Sequence, residues 1–162
     1  PVPADLPHPR TLEDLIRFNQ DYADLEMPFF GQERFEQAVE KGPLTDPAYL
    51  EALALGRRLA REEGIDAVMD RYQLDALVAP TGAPAWPIDP KQGDRHVGGS
   101  SGPAAVAGYP LITVPAGFIE GLPVGITFMG RAWSEPILIR LAYAFEQITQ
   151  ARRPPKMDWG EG

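Results

Sequence analysis

The residues best suited to chemistry stand together in Gly98-Gly99-Ser100-Ser101-Gly102-Pro103-Ala104-Ala105. Glycines around serine suit a tight turn that exposes a hydroxyl beside backbone N–H groups, as acyl transfer through serine requires. Asp94-Arg95-His96 places a base just upstream, and Lys91 offers another. Two readings follow. Either Ser100 or Ser101 is a nucleophile, or the segment is a loop lining a cleft, with His96 at the surface. The second is favoured. Catalytic triads are constellations in space, so adjacency along the chain does not make one. Pro103 also deletes an N–H that an oxyanion site could use. A phosphate-cradling loop fits less well, because the GxxxxGK[ST] pattern is missing and no Lys or Arg follows.

Other chemistry-bearing residues are sparse. Trp86, rigid between Pro84 and Pro87, either lines an apolar cleft or folds back onto the core. Thr81 and Tyr109 are further candidates for such a wall. Glu62-Glu63 reads as a solvated helix face paired with Arg57, Arg58 or Arg61. Lys41, Lys91 and Lys156 read as surface residues. His8 and His96 are the two histidines and Cys is absent, so thiolate nucleophiles, disulfides and multi-His metal sites are excluded. With 15 Lys+Arg against 23 Asp+Glu, the net charge is -8. That disfavours nucleic-acid and anionic-membrane partners. No apolar run approaches the ~18–20 residues of a membrane span.

The elements that must position these residues are legible from caps and periodicity. Apolar residues make up 44% of the 162, enough for a real core. Residues 1–10 read as an extended, Pro-rich lead-in, and the start Pro1-Val2-Pro3 is expected of a piece excised from a longer protein. Thr11 caps a helix, with Asp14 at its third position. A short helix around Phe35–Val39 ends at Gly42. Asp46-Pro47 opens a longer helix, which Gly64 is expected to break before a stripe of Ile65, Val68, Met69 and Tyr72. Leu74–Pro80, Leu111–Pro115 and Val124–Met129 read as short buried strands. Val124, Ile126 and Phe128 form a large apolar side of the third strand, and Gly125, Thr127 and Met129 a smaller one. Between the first two strands, residues 80–102 hold five glycines and four prolines, the composition of a functional or mobile loop. A short helix over Ala104–Ala107 follows it. Ser134 caps a last helix with Glu135 and Pro136 in its first turn. The tail from residue 151 reads as loose. The class is α/β, with few strands for its helices. Such a narrow sheet leaves edges that invite homo-oligomerisation, element swapping or a complementary chain.

Several blocks carry a resemblance. They are Leu74-Asp75-Ala76-Leu77-Val78-Ala79-Pro80-Thr81, Ala104-Ala105-Val106-Ala107-Gly108-Tyr109-Pro110 and Thr113-Val114-Pro115-Ala116-Gly117. Gly121-Leu122-Pro123-Val124-Gly125-Ile126-Thr127-Phe128-Met129-Gly130 follows, then Arg131-Ala132-Trp133-Ser134-Glu135 and the helix ending Tyr143-Ala144-Phe145-Glu146. In this order and spacing the chain resembles the C-terminal part of the amidase signature family. Phe29-Phe30-Gly31-Gln32 and Gly82-Ala83-Pro84-Ala85-Trp86 look closest to its peptide amidase-like branch.

The resemblance implies residues 11–150 as the C-terminal part of an amidase domain, a mixed sheet layered by helices. It implies hydrolysis of C–N amide bonds by a Ser-Ser-Lys triad, with no metal or organic cofactor. The three family positions lie upstream of every block matched here, so no catalytic residue is assigned within the chain. The expectation is a fragment inactive alone, paired with an N-terminal half or with itself. Its share of the binding site for a small amide or peptide amide would be Thr81, Trp86, Ser100, Ser101 and Tyr109. Two alternatives stay open: an autonomous serine hydrolase using Ser100 or Ser101, and a non-catalytic interaction domain.

Overall fold

The computed structural model describes residues 8–89, 91, 93 and 97–155. The chain divides into two compact units, Pro1–Leu50 and Glu51–Gly162. The first is helical: α1 (Leu12–Asp21), α2 (Ala23–Glu26) and α3 (Glu33–Val39). Thr11 caps α1 as expected, its Oγ1 accepting the Asp14 N–H at 3.1 Å. The Asp14 carboxylate reaches back to the Arg10 N–H at 3.3 Å, and that bond draws its pKa below the ordinary carboxylate value. One N–H that the helix start leaves orphaned, that of Asp14, is satisfied by the Thr11 cap. Gln32 is buried and donates from Nε2 to the Ile16 carbonyl at 3.1 Å, which ties the start of α3 to α1.

The second unit holds the sheet. α4 (Pro47–Ala60) leads to it, and the helix does not break at Gly64. It passes through a π-helical turn, Arg61–Ile65, straight into α5 (Asp66–Tyr72). Gly64 makes the wider turn possible, because a Cβ there would lie 2.5 Å from the Leu59 carbonyl oxygen. Gln73 closes α5 in the left-handed region, at φ 51°. Strand β1 (Leu77–Pro80) follows, then the long loop, α6 (Gly102–Ala107), β2 (Leu111–Ile119), β3 (Leu122–Met129) and α7 (Glu135–Thr149).

The three strands pair antiparallel in the order β1-β3-β2. β2 runs beyond Pro115, where it was expected to stop. A register shift between Pro115 and Gly117 absorbs the proline and lets pairing resume to Ile119. Glu120 and Gly121, at φ 50° and 83°, close the hairpin in a two-residue turn whose twist matches the strands.

Period-two alternation gives the sheet two different faces. On one, Ile112, Val114, Ile126 and Phe128 meet Leu138, Leu141, Ala142 and Phe145 of α7. The Phe128 and Phe145 rings pack edge-on at 6.0 Å. Leu138 is almost wholly buried, a burial that contributes roughly 1.5–3 kcal/mol. On the other, Leu77, Ala79 and Met129 meet Ile65, Met69, Ala104 and Ala107 from the helices before and after the loop. Ser134 precedes α7, but its hydroxyl does not cap it. It turns back and donates to the Arg131 carbonyl at 2.8 Å. In the tail, the Arg153 guanidinium lies 5.0 Å from the centre of the Phe118 ring.

Candidate functional site

Thr81 leaves the end of β1 and stays attached to the sheet, its N–H donating to the Gly125 carbonyl at 2.9 Å. Its own carbonyl accepts the Ser100 N–H at 3.1 Å, and Gly82 bridges Gly99 in antiparallel fashion. The two ends of the long loop are thus stitched together just past the end of β1. This brings Thr81 and Ser100 side by side, although nineteen positions separate them in the sequence.

Thr81 ends a row of hydroxyls. Thr127, on the central strand, stands opposite Ala79 on one side and Thr113 on the other. Its Oγ1 lies 2.8 Å from Thr81 Oγ1 and 2.9 Å from Thr113 Oγ1. Thr127 is 1% exposed, Thr81 half-buried and Thr113 exposed. The row fits only because residue 125 has no side chain. A Cβ there would come within 2.7 Å of Thr81 Oγ1 and 2.9 Å of Thr113 Cγ2. Ser100 Oγ is buried and has no hydrogen-bond partner among the described residues. A depression of about 350 Å³, lined by Val78, Pro80, Val124 and Ile126 among others, lies on the other, α7-facing side of these strands.

The other anticipated residues lie elsewhere on the unit. Ser101 is exposed at the start of α6 and makes no side-chain cap. Trp86 sits part-way along the loop, 38% exposed. Tyr109 belongs to a second polar network. Its hydroxyl donates to Asp66 Oδ2 at 2.7 Å, and the Arg61 guanidinium lies 5.4 Å from its ring centre. The bond to Asp66, with burial second, raises the phenol pKa above its ordinary value. Arg61 also donates from Nε to the Ala107 carbonyl at 2.6 Å, joining the π-helical turn to α6. Arg61 and Tyr109 line a pocket of about 470 Å³ with Gly108, Pro110, Trp133 and Glu135. Nearby, Arg131 pairs with Asp70 at 2.6 Å, and that bond raises the guanidinium pKa further. Glu63 pairs with Arg58 at 2.6 Å, the solvated ion pair expected of the acidic cluster. The candidate base His96, with Asp94 and Arg95, lies outside the described residues, as does Lys156. No cluster of metal-ligating side chains forms among the described residues, and no helix among them is long and apolar enough to cross a membrane.

Thr113, Thr127 and Gly125 were not anticipated as members of a site. The small side of β3 was visible in the sequence, but the register that lines up its threonine with two others was not.

The sequence profile of the amidase family matches residues 18–139. The chain belongs to the amidase family. It is 57% identical to the peptide amidase solved in complex with the competitive inhibitor chymostatin, with a TM-score of 0.88, over 91% of this chain and 30% of that one. To the native peptide amidase of Stenotrophomonas maltophilia it is 55% identical, TM-score 0.85, over 92% of this chain and 30% of the other. A protein of Arabidopsis thaliana named a probable amidase is 36% identical over 150 residues, 91% of this chain and 26% of its own length. The chain therefore spans about a quarter of the curated relatives it matches. The α/β architecture is that of these amidases.

Proposed function

We propose that this chain is the C-terminal part of an amidase that hydrolyses a C–N amide bond by Ser-Ser-Lys acyl transfer, with the triad contributed by residues outside the chain. The observation that carries the reading is the amidase profile over residues 18–139, joined to a likeness that covers under a third of the solved peptide amidases. Serine acyl transfer needs an activated nucleophile and positioned N–H donors. Neither Ser100 nor Ser101 has a base within hydrogen-bond distance among the described residues.

The chain's part is scaffold and wall. The sheet and α7 hold one side of a cleft, in which Thr81 and Ser100, with Trp86 and Ser101 on the same loop, face the substrate, while Tyr109 serves the clamp with Asp66 and Arg61. A peptide amide is the favoured substrate class, on the strength of the 55–57% identity to peptide amidases. The partner is the N-terminal portion of an amidase. Val78 on β1, more than half exposed, is the kind of edge residue that such a partner would cover.

A chimaera tests this. The matching 30% of the Stenotrophomonas maltophilia peptide amidase is replaced by this chain, and release of ammonia from a peptide amide is followed. Turnover by the chimaera, with none by the chain alone, is the expected result. Turnover by the chain alone, abolished by Ser100→Ala or Ser101→Ala, would overturn it in favour of an autonomous serine hydrolase. A folded but inert chimaera would favour a non-catalytic interaction domain.

A further inference from the structure

Proton counting across the hydroxyl row leads to a positioning role. Three oxygens share two hydrogen bonds, Thr113–Thr127 and Thr127–Thr81. Each hydroxyl has one proton to give. Thr127 is buried in the middle, with both neighbours as its only side-chain partners among the described residues. If both neighbours donated to it, its own proton would be left buried and unbonded, at a cost of about 1–3 kcal/mol. The row therefore runs one way. Either Thr113 donates to Thr127 and Thr127 to Thr81, or the whole sequence is reversed. In the first sense the Thr81 proton remains available. In the second Thr81 offers lone pairs. Thr113 is exposed, so water satisfies its end in either sense. Thr81 is thus held at a fixed place while its hydrogen-bonding sense stays adjustable.

Ser100 stands beside it. Its N–H is tied to the Thr81 carbonyl, and its buried hydroxyl has neither its proton nor its lone pairs committed among the described residues. Two hydroxyls on residues joined through the backbone, one adjustable and one uncommitted among the described residues, suit a ligand that has an N–H and a C=O on adjacent atoms.

We infer that Thr127 is a positioning residue that holds the Thr81 hydroxyl, and that Thr81 and Ser100 together bind an amide group of a peptide amide. The inference rests on the amidase reading for its substrate class, and the binding measurement needs no turnover.

The test is a titration of the chain with N-acetyl-leucinamide, followed by NMR of the threonine methyl groups. The expected result is a saturable shift at the Thr81 and Thr127 methyls. Thr127→Val keeps the shape and removes the hydroxyl, and it should weaken binding by about fivefold, the effect of one hydrogen bond. Thr127→Ser should bind within about twofold of the parent. Ser100→Ala and Thr81→Val should weaken it by a similar factor. Thr81→Val combined with Thr127→Val should be no worse than Thr81→Val alone, because both act through one hydroxyl. If Thr127→Val fails to fold, judged by methyl dispersion, the Thr81→Val and Thr127→Ser pair decides. The inference is overturned if no shift occurs at Thr81, if the two losses add, or if Thr127→Ser binds as weakly as Thr81→Val. Binding without chimaera turnover would remove the amidase reading and leave this inference standing. Turnover with none of these effects would do the reverse.

Discussion

The second unit carries two polar networks on one sheet, and they are built from opposite materials. The hydroxyl row of Thr113, Thr127 and Thr81 is neutral, short and set into a space left by Gly125. The other network is largely ionic: Asp66 holding Tyr109, Arg61 over the Tyr109 ring and on the Ala107 carbonyl, and Arg131 on Asp70. Charge fixes the direction of a hydrogen bond, since a carboxylate accepts and a guanidinium donates. Such bonds suit a clamp, and these join the π-helical turn and α5 to α6, to the strand entry at Tyr109 and to the segment after β3. A hydroxyl can do either, so a chain of hydroxyls suits a surface that must adapt to what meets it. The contrast separates two jobs that residue type alone leaves mixed: Tyr109 and Thr81 were both candidate contacts, yet one is held by a formal charge and the other by a reversible relay.

The comparison can be broken at several points. The largest effect is expected at Gly125→Ala. The new methyl would drive Thr81 and Thr113 apart, and overpacking of this kind costs about 1–3 kcal/mol. A urea midpoint unchanged from the parent would mean that the glycine is not what makes room for the row. Thr127→Val comes next, with a loss of about 1–2 kcal/mol from two hydrogen bonds and from the stranded Thr81 hydroxyl. Equal losses for Thr127→Ser and Thr127→Val would assign the effect to packing. Tyr109→Phe should cost about 1 kcal/mol at neutral pH, since the bond to a carboxylate is partly exposed to solvent.

The sign of its pH dependence sharpens the contrast further. The folded phenol pKa is raised, so the protonated tyrosine is the form the fold favours. Its contribution is complete below the unfolded value of about 10 and disappears as pH climbs through the higher folded value. Parent and Tyr109→Phe stabilities should therefore converge in strong alkali, whereas the Thr127→Val difference should not change over that range. Parallel curves for the parent and Tyr109→Phe would contradict the raised pKa. The smallest effect belongs to Asp70→Asn. Asp70 is largely exposed and its partner Arg131 only half-buried, and exposed ion pairs rarely register in a denaturant midpoint. A clear drop would show the clamp to be stronger than its exposure suggests.

Much of the frame was legible because it is local. The Thr11 cap with Asp14, and the last helix opening on Glu135 and Pro136, depend on residues within a few positions of one another. Features that failed to read are those in which a distant group decides. Gly64 looked like a helix breaker, since glycine usually is one. The Leu59 carbonyl that would meet its Cβ is what makes it a requirement of the continuous helix. Ser134 stands where a cap belongs, but the Arg131 carbonyl takes its hydroxyl instead. Pro115 looked like a strand end because the shifted pairing that accommodates it involves the partner strand. At the site, Thr81 and Ser100 were singled out from loop composition, and the Gly82–Gly99 bridge does bring them together. Thr113 and Thr127 stayed hidden because cross-strand register decides which hydroxyls meet.

The π-helical turn between α4 and α5 acts as a one-residue gear change. An α-helix advances about 100° per residue, so the extra residue puts the apolar stripes before and after it out of step by roughly that angle. Excising Gly64 would mesh the two again, rotating Ile65 and Met69 away from Met129 and leaving an otherwise intact rod that no longer fits its bed.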